Sequence, residues 1–471
     1  MRASVKRCRS QRAPRSSSGS DVDRSSLLTV LRVVRMTDEH FDNACTEYHS
    51  LARRDFLTTA AGVGIAAMLP TWLPSVVLAQ TSSSSRDIIL SVFLSGGVDG
   101  MSLVAPFGDP DYYTGRPTIA IARPDAAGNG PKLTALDNFF GFAPGMTPLM
   151  PAYAAGDLLV AHATGSVNTS RSHFDAQRYM EVGKPADASL TSGWLGRHLA
   201  TSTPIRSNAP LRALGLTTGM PQTLAGAPRA LPVPNPANAA VGGSNATGVA
   251  RSQWLGSNYA TANDPVSSNA LDTTNTMSLL QLINFVGYAP ANGAVYPSTG
   301  FGNALKSAAA LIKADVGIEA IHAFNGGWDT HAAQGPIATL DGGYMHGKML
   351  DLSGALAAFY ADVIQGTTSY GVTVVVVSEF GRNARENGNR GTDHGRGNVA
   401  FAMGKKIAGG KVMTNGWPGL ARENLENGQD LRVTLDHRDI LAEVVQNRLG
   451  NPNLGIVFPS FTPKIRGVTK P

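Results

Sequence analysis

Residues 372–377 read VTVVVV and lead directly into the polar residues of SEFGR at 378–382. A strand with one face in water alternates apolar and polar residues, whereas a strand covered on both faces is apolar almost throughout. Strands of the second kind belong to largely parallel sheets, because the crossover connections place helices on both faces. The sequence therefore predicts an α/β fold with a largely parallel central sheet and helices above and below it.

Other segments of the chain fit this fold class. Apolar runs with strand character start at Ile88 and Leu158, and further strands are predicted at 318–324 and 399–403. Helical periodicity predicts helices at 147–155, 174–181, 303–313, 348–364 and 439–449. We interpret residues 80–471 as a single α/β domain.

Residues 201–275 differ in composition from the rest of this domain. They are rich in Ala, Asn, Ser, Thr, Gly and Pro and contain few large apolar residues. Such a stretch cannot build a core of its own, so we expect a long insertion or lid over the main domain. Disorder in the middle of the stretch is the alternative.

The first 79 residues are predicted to be a leader. Arg53 and Arg54 precede DFL and an apolar stretch, and small residues up to Ala79 provide a cleavage site before Gln80. These features predict a twin-arginine signal, export of the folded protein by the twin-arginine translocase, and a periplasmic or extracellular location. Met36 is the expected start of translation. No stable membrane span is expected, because Gly and Pro interrupt a short apolar stretch, although a retained anchor is the alternative.

The leader also carries most of the positive charge of the chain. Residues 1–79 contain eleven of the 40 Lys and Arg and seven of the 34 Asp and Glu, so the net charge falls from +6 to +2 for residues 80–471. A nearly neutral domain gives no reason to expect a nucleic-acid partner. Cys8 and Cys45 both lie in the leader, which excludes disulfides, thiolate metal sites and cysteine nucleophiles from the rest.

Polar clusters follow directly on four of the apolar runs, in GGVDG, SRSHFDAQ, GGWDTH and SEFGR, and GTDHG follows the last of them. Ligands of open α/β sheets bind outside the carboxyl ends of the strands, so these clusters are expected to converge. Carboxylates and histidines are ligands of divalent cations. The predicted metal ligands are Asp99, Asp329, His331, Glu379, Asp393 and His394.

Structural roles are the alternative for several of these residues. Glu379 could pair with Arg382 at the end of one strand, and Asp329 with His331 could serve loop packing alone. The glycines around Asp99 also fit a simple tight turn. The recurrence of an Asp and His pair at two predicted strand ends favours a metal or proton-transfer site.

Ser172 in SRSHFDAQ is the candidate nucleophile. Asp175 follows three residues later, which is the form of a helix capping box, so Ser172 is also predicted to cap the following helix. A hydroxyl at a helix N-terminus lies in a field that favours its alkoxide, and a nearby cation lowers its pKa further. Arg171 and His173 could bind an anionic group or protonate a leaving group, and Ser170 is the nearest rival nucleophile.

The motifs RRDFL, FLSGGVDGMS, SRSHFDAQ, GWLGR, GGWDTH, SEFGR, GTDHG and LDHRDIL together resemble the family named domain of unknown function 1501. Its members are twin-arginine-exported bacterial proteins. The resemblance covers the predicted domain except residues 201–275, and its motifs are specific in combination and weak singly. Because the family has no established activity, the resemblance implies a fold more than a reaction.

A more distant resemblance is to the superfamily of alkaline phosphatases, sulfatases and cofactor-independent phosphoglycerate mutases. That superfamily has a metal-binding Asp, a nucleophile before a helix, an Asp and a His from one later loop, and the strand end T-A-D-H-G followed by a last His. The residues that match in order are Asp99, Ser172, Asp329 with His331, Glu379 and His394. The resemblance implies an alkaline-phosphatase-like fold.

Two departures from the superfamily pattern bear on activity. Glu379 stands where the superfamily has Asp, and Phe380 stands where it has a ligand His. The spacing of Asp329 and His331 is also shorter than the usual D-x-x-x-H.

The resemblance thus implies a hydrolase of phosphate or sulfate esters, of small molecules or saccharides, with a serine nucleophile and one or two divalent metal ions. The alternative is a catalytically degenerate binding protein for carbohydrate or cell-wall material, which Phe380 favours. An oxidoreductase has no support, because GGVDGMS is not the dinucleotide fingerprint G-x-G-x-x-G.

Overall fold

The structure is a computed structural model, and it describes residues 86–239, 247–260, 265–366 and 370–471. The predicted twin-arginine signal, its cleavage site and Met36 lie outside these residues. The strands are β1 (Ile88–Leu94), β2 (Val104–Ala105), β3 (Thr134–Ala135), β4 (Gly141–Phe142), β5 (Leu158–Gly165), β6 (Ala213–Gly215), β7 (Ala230–Pro232), β8 (Ala320–Asn325), β9 (Val372–Ser378), β10 (Asn398–Met403), β11 (Lys411–Met413) and β12 (Leu435–Asp436).

Nine of these strands form one sheet in the order β11-β5-β10-β9-β1-β8-β6-β7, and β12 also pairs with β5. Every pairing is parallel except the two that β10 makes with β5 and β9. The strands β2, β3 and β4 form a separate small antiparallel sheet. The predicted α/β class with a largely parallel central sheet is therefore confirmed.

The helices lie between and after these strands. They are α1 (Gly100–Leu103), α2 (Pro110–Gly115), α3 (Met150–Ala154), α4 (His173–Val182), α5 (Trp194–Thr201), α6 (Gly248–Tyr259), α7 (Pro265–Gln281), α8 (Gly300–Lys313), α9 (Tyr344–Phe359), α10 (His437–Asn447) and α11 (Leu454–Val457). None of the helices within the described ranges combines the length and the apolar character needed to cross a membrane.

All seven residues of β1 are buried, so both faces of the sheet are covered at its centre. On one face, Trp194 and Leu195 of α5 and Val444 of α10 join the core with apolar side chains of β1, β5, β9 and β10. The helix α8 contacts β8 and packs against α9. Burial on both faces explains why the β9 sequence lacks the alternation of a half-exposed strand.

Most predicted helices are found, with changes at their ends. The helix predicted at 174–181 is α4, and the helix predicted at 439–449 is α10. The helix predicted at 147–155 starts as a 3-10 helix over Pro144–Leu149, because the prolines in this stretch donate no backbone hydrogen bonds. The helix predicted at 348–364 starts earlier, as α9, and continues as a π-helical turn over Tyr360–Ile364.

Part of the stretch at 201–275, which was predicted to be an insertion or lid, belongs to the central sheet. Residues of β6 pair in parallel with β8, with Ala213 opposite Ala320, and β7 pairs with β6. This part extends the central sheet to its edge at β7, and two strands of only three residues need few large apolar side chains. The helices α6 and α7 of the same region pack against each other. Residues 240–246 and 261–264, where disorder was the alternative, lie outside the described residues.

Candidate metal site

The strand ends meet at one edge of the sheet. Leu94 at the end of β1 is level with Asn325 of β8 and with Ser378 of β9. Because β10 runs against its neighbours, it begins at this edge, with Asn398 opposite Thr164 of β5. The segments that follow β1, β5, β8 and β9 and the segment that precedes β10 therefore share one edge, where ligands bind in sheets of this type.

Four side chains from three of these segments converge there. Ligand atoms of His173, Asp329 and His394 lie within 4.8 Å of one another. His331 Nε2 is 3.0 Å from Asp329 Oδ1 and 3.1 Å from His394 Nε2. We call His173, Asp329, His331 and His394 the His-Asp cluster. All four residues were predicted as site residues, but His173 was predicted to act on the substrate.

The outer nitrogen of each imidazole in the cluster faces an oxygen. The pairs are His173 Nδ1 with Glu379 Oε1 at 2.8 Å, His331 Nδ1 with Asp393 Oδ1 at 2.9 Å, and His394 Nδ1 with the Arg171 carbonyl at 2.9 Å. A carbonyl or an ionised carboxylate can only accept, so we assign the ring proton to Nδ1 in all three histidines. The Nε2 atoms that face the cluster then carry lone pairs.

This assignment leaves no proton between His331 Nε2 and His394 Nε2. Two lone pairs at 3.1 Å repel each other unless one ring takes a second proton or a cation lies between them. His173 Nε2 is also buried and has no hydrogen-bond partner within the described part of the chain. The ligand atoms that lie within 4.8 Å of one another come from His173, Asp329 and His394, and imidazole nitrogen and carboxylate oxygen are ligand types of borderline divalent cations such as zinc, cobalt or iron.

Arg382 fixes the carboxylate of the cluster. Its buried guanidinium donates to Asp329 Oδ1 at 2.6 Å and to the Thr392 carbonyl at 2.8 Å. It also donates to the carbonyls of Gly96, Gly97 and Trp328. One side chain thus joins the exits of β1 and β8 to the loop before β10.

The charges of the cluster follow from these contacts. Burial would raise the pKa of Asp329, but Arg382 outweighs it and holds that pKa below its ordinary value. The hydrogen bond to Glu379 raises the pKa of His173, whereas burial lowers the pKa of His394. The hydrogen bond from His331 lowers the pKa of Asp393. Both carboxylates are therefore ionised at neutral pH.

Phe380 lies under two of the histidines. Its buried ring is 4.9 Å from the His173 ring and 4.8 Å from the His394 ring, centre to centre. A Cβ on Gly97, whose φ is +60°, would lie 2.4 Å from this ring, and a Cβ on Gly96 would lie 2.5 Å from the Asp329 amide. The two glycines of SGGVDG are thus needed for close packing beneath the cluster.

Glu379 and Asp393, which were predicted as metal ligands, lie behind the histidines. Glu379 Oε1 also accepts from the Gly96 amide at 2.7 Å, and its Oε2 accepts from Ser378 Oγ at 3.0 Å. The alternative pairing of Glu379 with Arg382 is not found among the described ion pairs, since each has another partner.

Asp99, which was predicted as a metal ligand, does not belong to the His-Asp cluster. It lies fully buried, 2.6 Å from Arg116 Nη1, and accepts hydrogen bonds from Ser102 and from Gln334. Burial would raise its pKa, but Arg116 outweighs this effect and the pKa is lowered. Sequence reasoning missed Arg116, because no motif surrounds it, and a buried Asp by itself indicates only that some cation is near.

The predicted nucleophile is the N-cap of α4. Ser172 Oγ accepts from the Asp175 amide at 3.4 Å, as the capping-box pattern predicted, and Ser170 Oγ accepts from the Ser172 amide at 3.3 Å. Neither hydroxyl has a hydrogen bond to the cluster among the described contacts. The Arg171 side chain pairs with Asp430 while its carbonyl holds His394. Ser172 is exposed and directly precedes His173 in the chain.

The fold and the site define a class of protein: an α/β protein with a mostly parallel sheet, in which histidines and an aspartate lie together at the carboxyl edge of the sheet. The model of the family described as protein of unknown function (DUF1501) matches residues 86–449, and the chain belongs to that family. The match runs from β1 through α10 and includes every residue of the cluster. Comparisons with curated proteins and with solved structures gave no match.

Proposed function

We propose that the His-Asp cluster binds one divalent cation through Nε2 of its three histidines and the carboxylate of Asp329. The observation that best supports this proposal is the distance of 3.1 Å between His331 Nε2 and His394 Nε2. The ring protons of both histidines are assigned to Nδ1, so neither Nε2 carries a proton. Metal-binding histidines commonly donate their other N–H to a carboxylate or a carbonyl, which is the arrangement of all three rings.

One cation is proposed instead of two. Phe380 supplies no ligand at the position where the superfamily has His, and Asp99 is fully engaged by Arg116. Glu379 and Asp393 orient histidines and are assigned that role in place of direct coordination.

We further propose that the protein hydrolyses phosphate or sulfate esters, with Ser172 as the nucleophile. A bound cation would stabilise negative charge on ester oxygens and lower the pKa of a hydroxyl near it. Ser172 is exposed, lies at the positive N-terminal end of α4 and directly precedes the cluster residue His173 in the chain. Arg171 directly precedes Ser172, and its partly exposed guanidinium pairs with Asp430 through one nitrogen, so its other N–H donors would attract an anionic group. Because His173 would bind the cation, it is not proposed as the acid for the leaving group.

The remaining proposals concern relationship and location. An alkaline-phosphatase-like fold is supported by the order of the strand-end motifs and by the mostly parallel sheet with its site at the carboxyl edge. Export by the twin-arginine translocase to the periplasm or the exterior is supported by RRDFL and the apolar stretch after it. Removal of the segment before Gln80 in secreted protein would test this proposal.

Metal titration tests the central proposal. Protein exported by its native route and freed of metal by chelation should bind about one equivalent of Zn²⁺, Co²⁺ or Mn²⁺ in a calorimeter. Replacing Asp329 and His331 together by asparagine should abolish binding, whereas His346→Gln, outside the cluster, should leave it unchanged. A folded wild-type protein that binds none of these cations would refute the site.

A binding protein is the second candidate function, and Phe380 is the observation that favours it. Its ring closes the space under His173 and His394, where the superfamily has a further ligand. Metal-loaded protein that hydrolyses no aryl phosphate, phosphodiester or aryl sulfate would favour this candidate over the hydrolase.

A further inference from the structure

A second cleft opens at the same edge of the sheet, beyond β8. It is a solvent-open cleft of about 480 Å³, lined by residues that follow β6 and β7, by the end of β8, and by the helices α8 and α9. A volume of this size is typical of small-molecule sites. The loop after β8 separates the cleft from the His-Asp cluster: Asn325 and Gly326 line the cleft, and Asp329 belongs to the cluster.

Lys348 of α9 is the cation of this cleft. Its Nζ lies 5.5 Å from the centre of the Trp328 ring, and Trp328 is fully buried. No carboxylate of the described chain lies within 4 Å of Nζ, and none of the described hydrogen bonds uses it. Burial lowers the pKa of Lys348, with Asp351 acting in the opposite direction.

The acceptors around Lys348 are already in use. The Asp351 carboxylate accepts from Thr299 Oγ1 and, at 3.1 Å, from Asn325 Nδ2. The Asn325 side-chain oxygen accepts from the Trp328 indole at 2.9 Å. The three N–H donors of Lys348, by contrast, make none of the described hydrogen bonds, and such donors recognise an anionic group.

The opposite part of the cleft is apolar. Phe324 is 42% exposed although it lies near the end of the central strand β8, and its ring stacks on Phe93 at a centre-to-centre distance of 6.3 Å. Phe301, Leu216 and Ala304 continue this surface. A cleft with an exposed aromatic ring in one part and an ammonium without a described ion pair in another fits a ligand that is apolar at one end and negatively charged at the other.

We propose that this cleft binds a monoanionic ligand whose carboxylate or sulfate group pairs with Lys348 and whose apolar part lies on Phe324. The nearby carboxylate of Asp351 favours one negative charge over several. No residue of the His-Asp cluster lines the cleft, so this inference does not rest on the proposed metal site or on hydrolysis.

A matched pair of probes tests the charge requirement. The complete processed protein is chelated, dialysed and titrated with 4-fluorobenzoate or with the neutral 4-fluorobenzamide, and binding is followed by fluorine NMR. We expect 4-fluorobenzoate to bind at least about tenfold more tightly than the amide. Absence of benzoate binding at millimolar concentration, or equal binding of the two probes, overturns the proposal.

Three lysine variants locate the binding. Lys348→Met keeps the side-chain stem over Trp328 and should weaken 4-fluorobenzoate binding by about tenfold or more, whereas Lys348→Arg should retain most of it. Lys406→Met removes an exposed lysine from the turn after β10, at the opposite edge of the sheet, and should leave binding unchanged. Unchanged benzoate binding by a folded Lys348→Met variant would refute the assignment to this cleft. Should that variant fail to fold, Lys348→Gln takes its place, and unchanged benzoate binding by this variant would refute the assignment.

Discussion

Glu379 holds His173 from the side away from the cluster, with Oε1 at 2.8 Å from Nδ1. The same oxygen accepts from the Gly96 amide, so the carboxylate is itself fixed by the backbone that follows β1. A carboxylate at this position sets the ring orientation and makes the opposite nitrogen a better donor to a cation. The pKa of His173 is raised for the same reason.

Glu379→Gln should lower cation affinity without abolishing it. The amide can keep one acceptor for His173 but loses the charge, and changes behind metal-binding histidines commonly cost about 10–100-fold in affinity. Calorimetric titration with Zn²⁺ measures the change. Glu423→Gln, at an exposed position far along the chain, is the matched control. Equal affinities for Glu379→Gln and wild type would show that His173 does not bind the cation.

Ser172→Ala should remove ester hydrolysis while costing little stability. The capping hydrogen bond to the Asp175 amide is long, at 3.4 Å, so we expect a loss near the lower end of the usual range of about 0.5–2 kcal/mol. Urea denaturation and hydrolysis of aryl phosphates and sulfates give the two readouts. Ser172→Asp preserves a capping acceptor and should restore stability without activity. An active Ser172→Ala variant would exclude this nucleophile and make Ser170 the next to test.

Asp99→Asn should destabilise the protein and leave cation binding intact. The change leaves the fully buried Arg116 without its ion-pair partner, and such losses cost about 3–5 kcal/mol. The free energy of unfolding in urea and the stoichiometry of Zn²⁺ binding should therefore respond differently. Loss of cation binding in a folded Asp99→Asn protein would restore the original prediction of Asp99 as a ligand.

The Asp99 ion pair should also contribute to acid sensitivity. The folded-state pKa of Asp99 lies below its ordinary value of 3.8, so the stability it provides is fully present above that value. That stability is lost as the pH falls through the lower pKa of the folded state. Urea midpoints of the wild type below about pH 4 should therefore drop more steeply than those of Asp99→Asn. Parallel pH profiles for the two proteins would contradict this role.

Arg382→Lys should weaken both the fold and the cation site. Lysine keeps the charge but cannot reach Asp329 and four backbone carbonyls at once, since its donors lack the planar fork of the guanidinium. Buried carbonyls left without donors should cost at least about 2 kcal/mol in unfolding free energy. Arg385→Lys, at an exposed position three residues later, is the control and should behave as wild type.

Sequence patterns could predict the sheet and the place of the site because both depend on local features. The apolar run of β9 reports burial on both faces, and polar residues after strands report the ligand-binding edge. The short strands β6 and β7 escaped prediction, since three residues are too few to show a periodicity.

The individual roles of the site residues could not be predicted from the sequence. Which carboxylate touches a cation and which one orients a histidine depends on contacts between distant parts of the chain. His173 and Glu379 are 206 positions apart, and Arg116 reaches Asp99 without a motif that marks it. The sequence made Asp99, Glu379 and Asp393 equal candidates for metal ligands, and only their hydrogen-bond partners in the structure distinguish their roles.

Because β10 runs antiparallel to its neighbours, formation of the His-Asp cluster depends on completion of the central sheet. β10 starts at the edge where its neighbours end, so His394 lies in the segment that precedes β10. There, His394 hydrogen-bonds to the carbonyl of Arg171, which is 223 positions earlier in the chain. The four side chains can come together only after β5, β8, β9 and β10 have all found their partners. A bound cation would therefore distinguish fully folded molecules from partly folded ones, and metal content per molecule would measure the fraction of chains whose central sheet is complete.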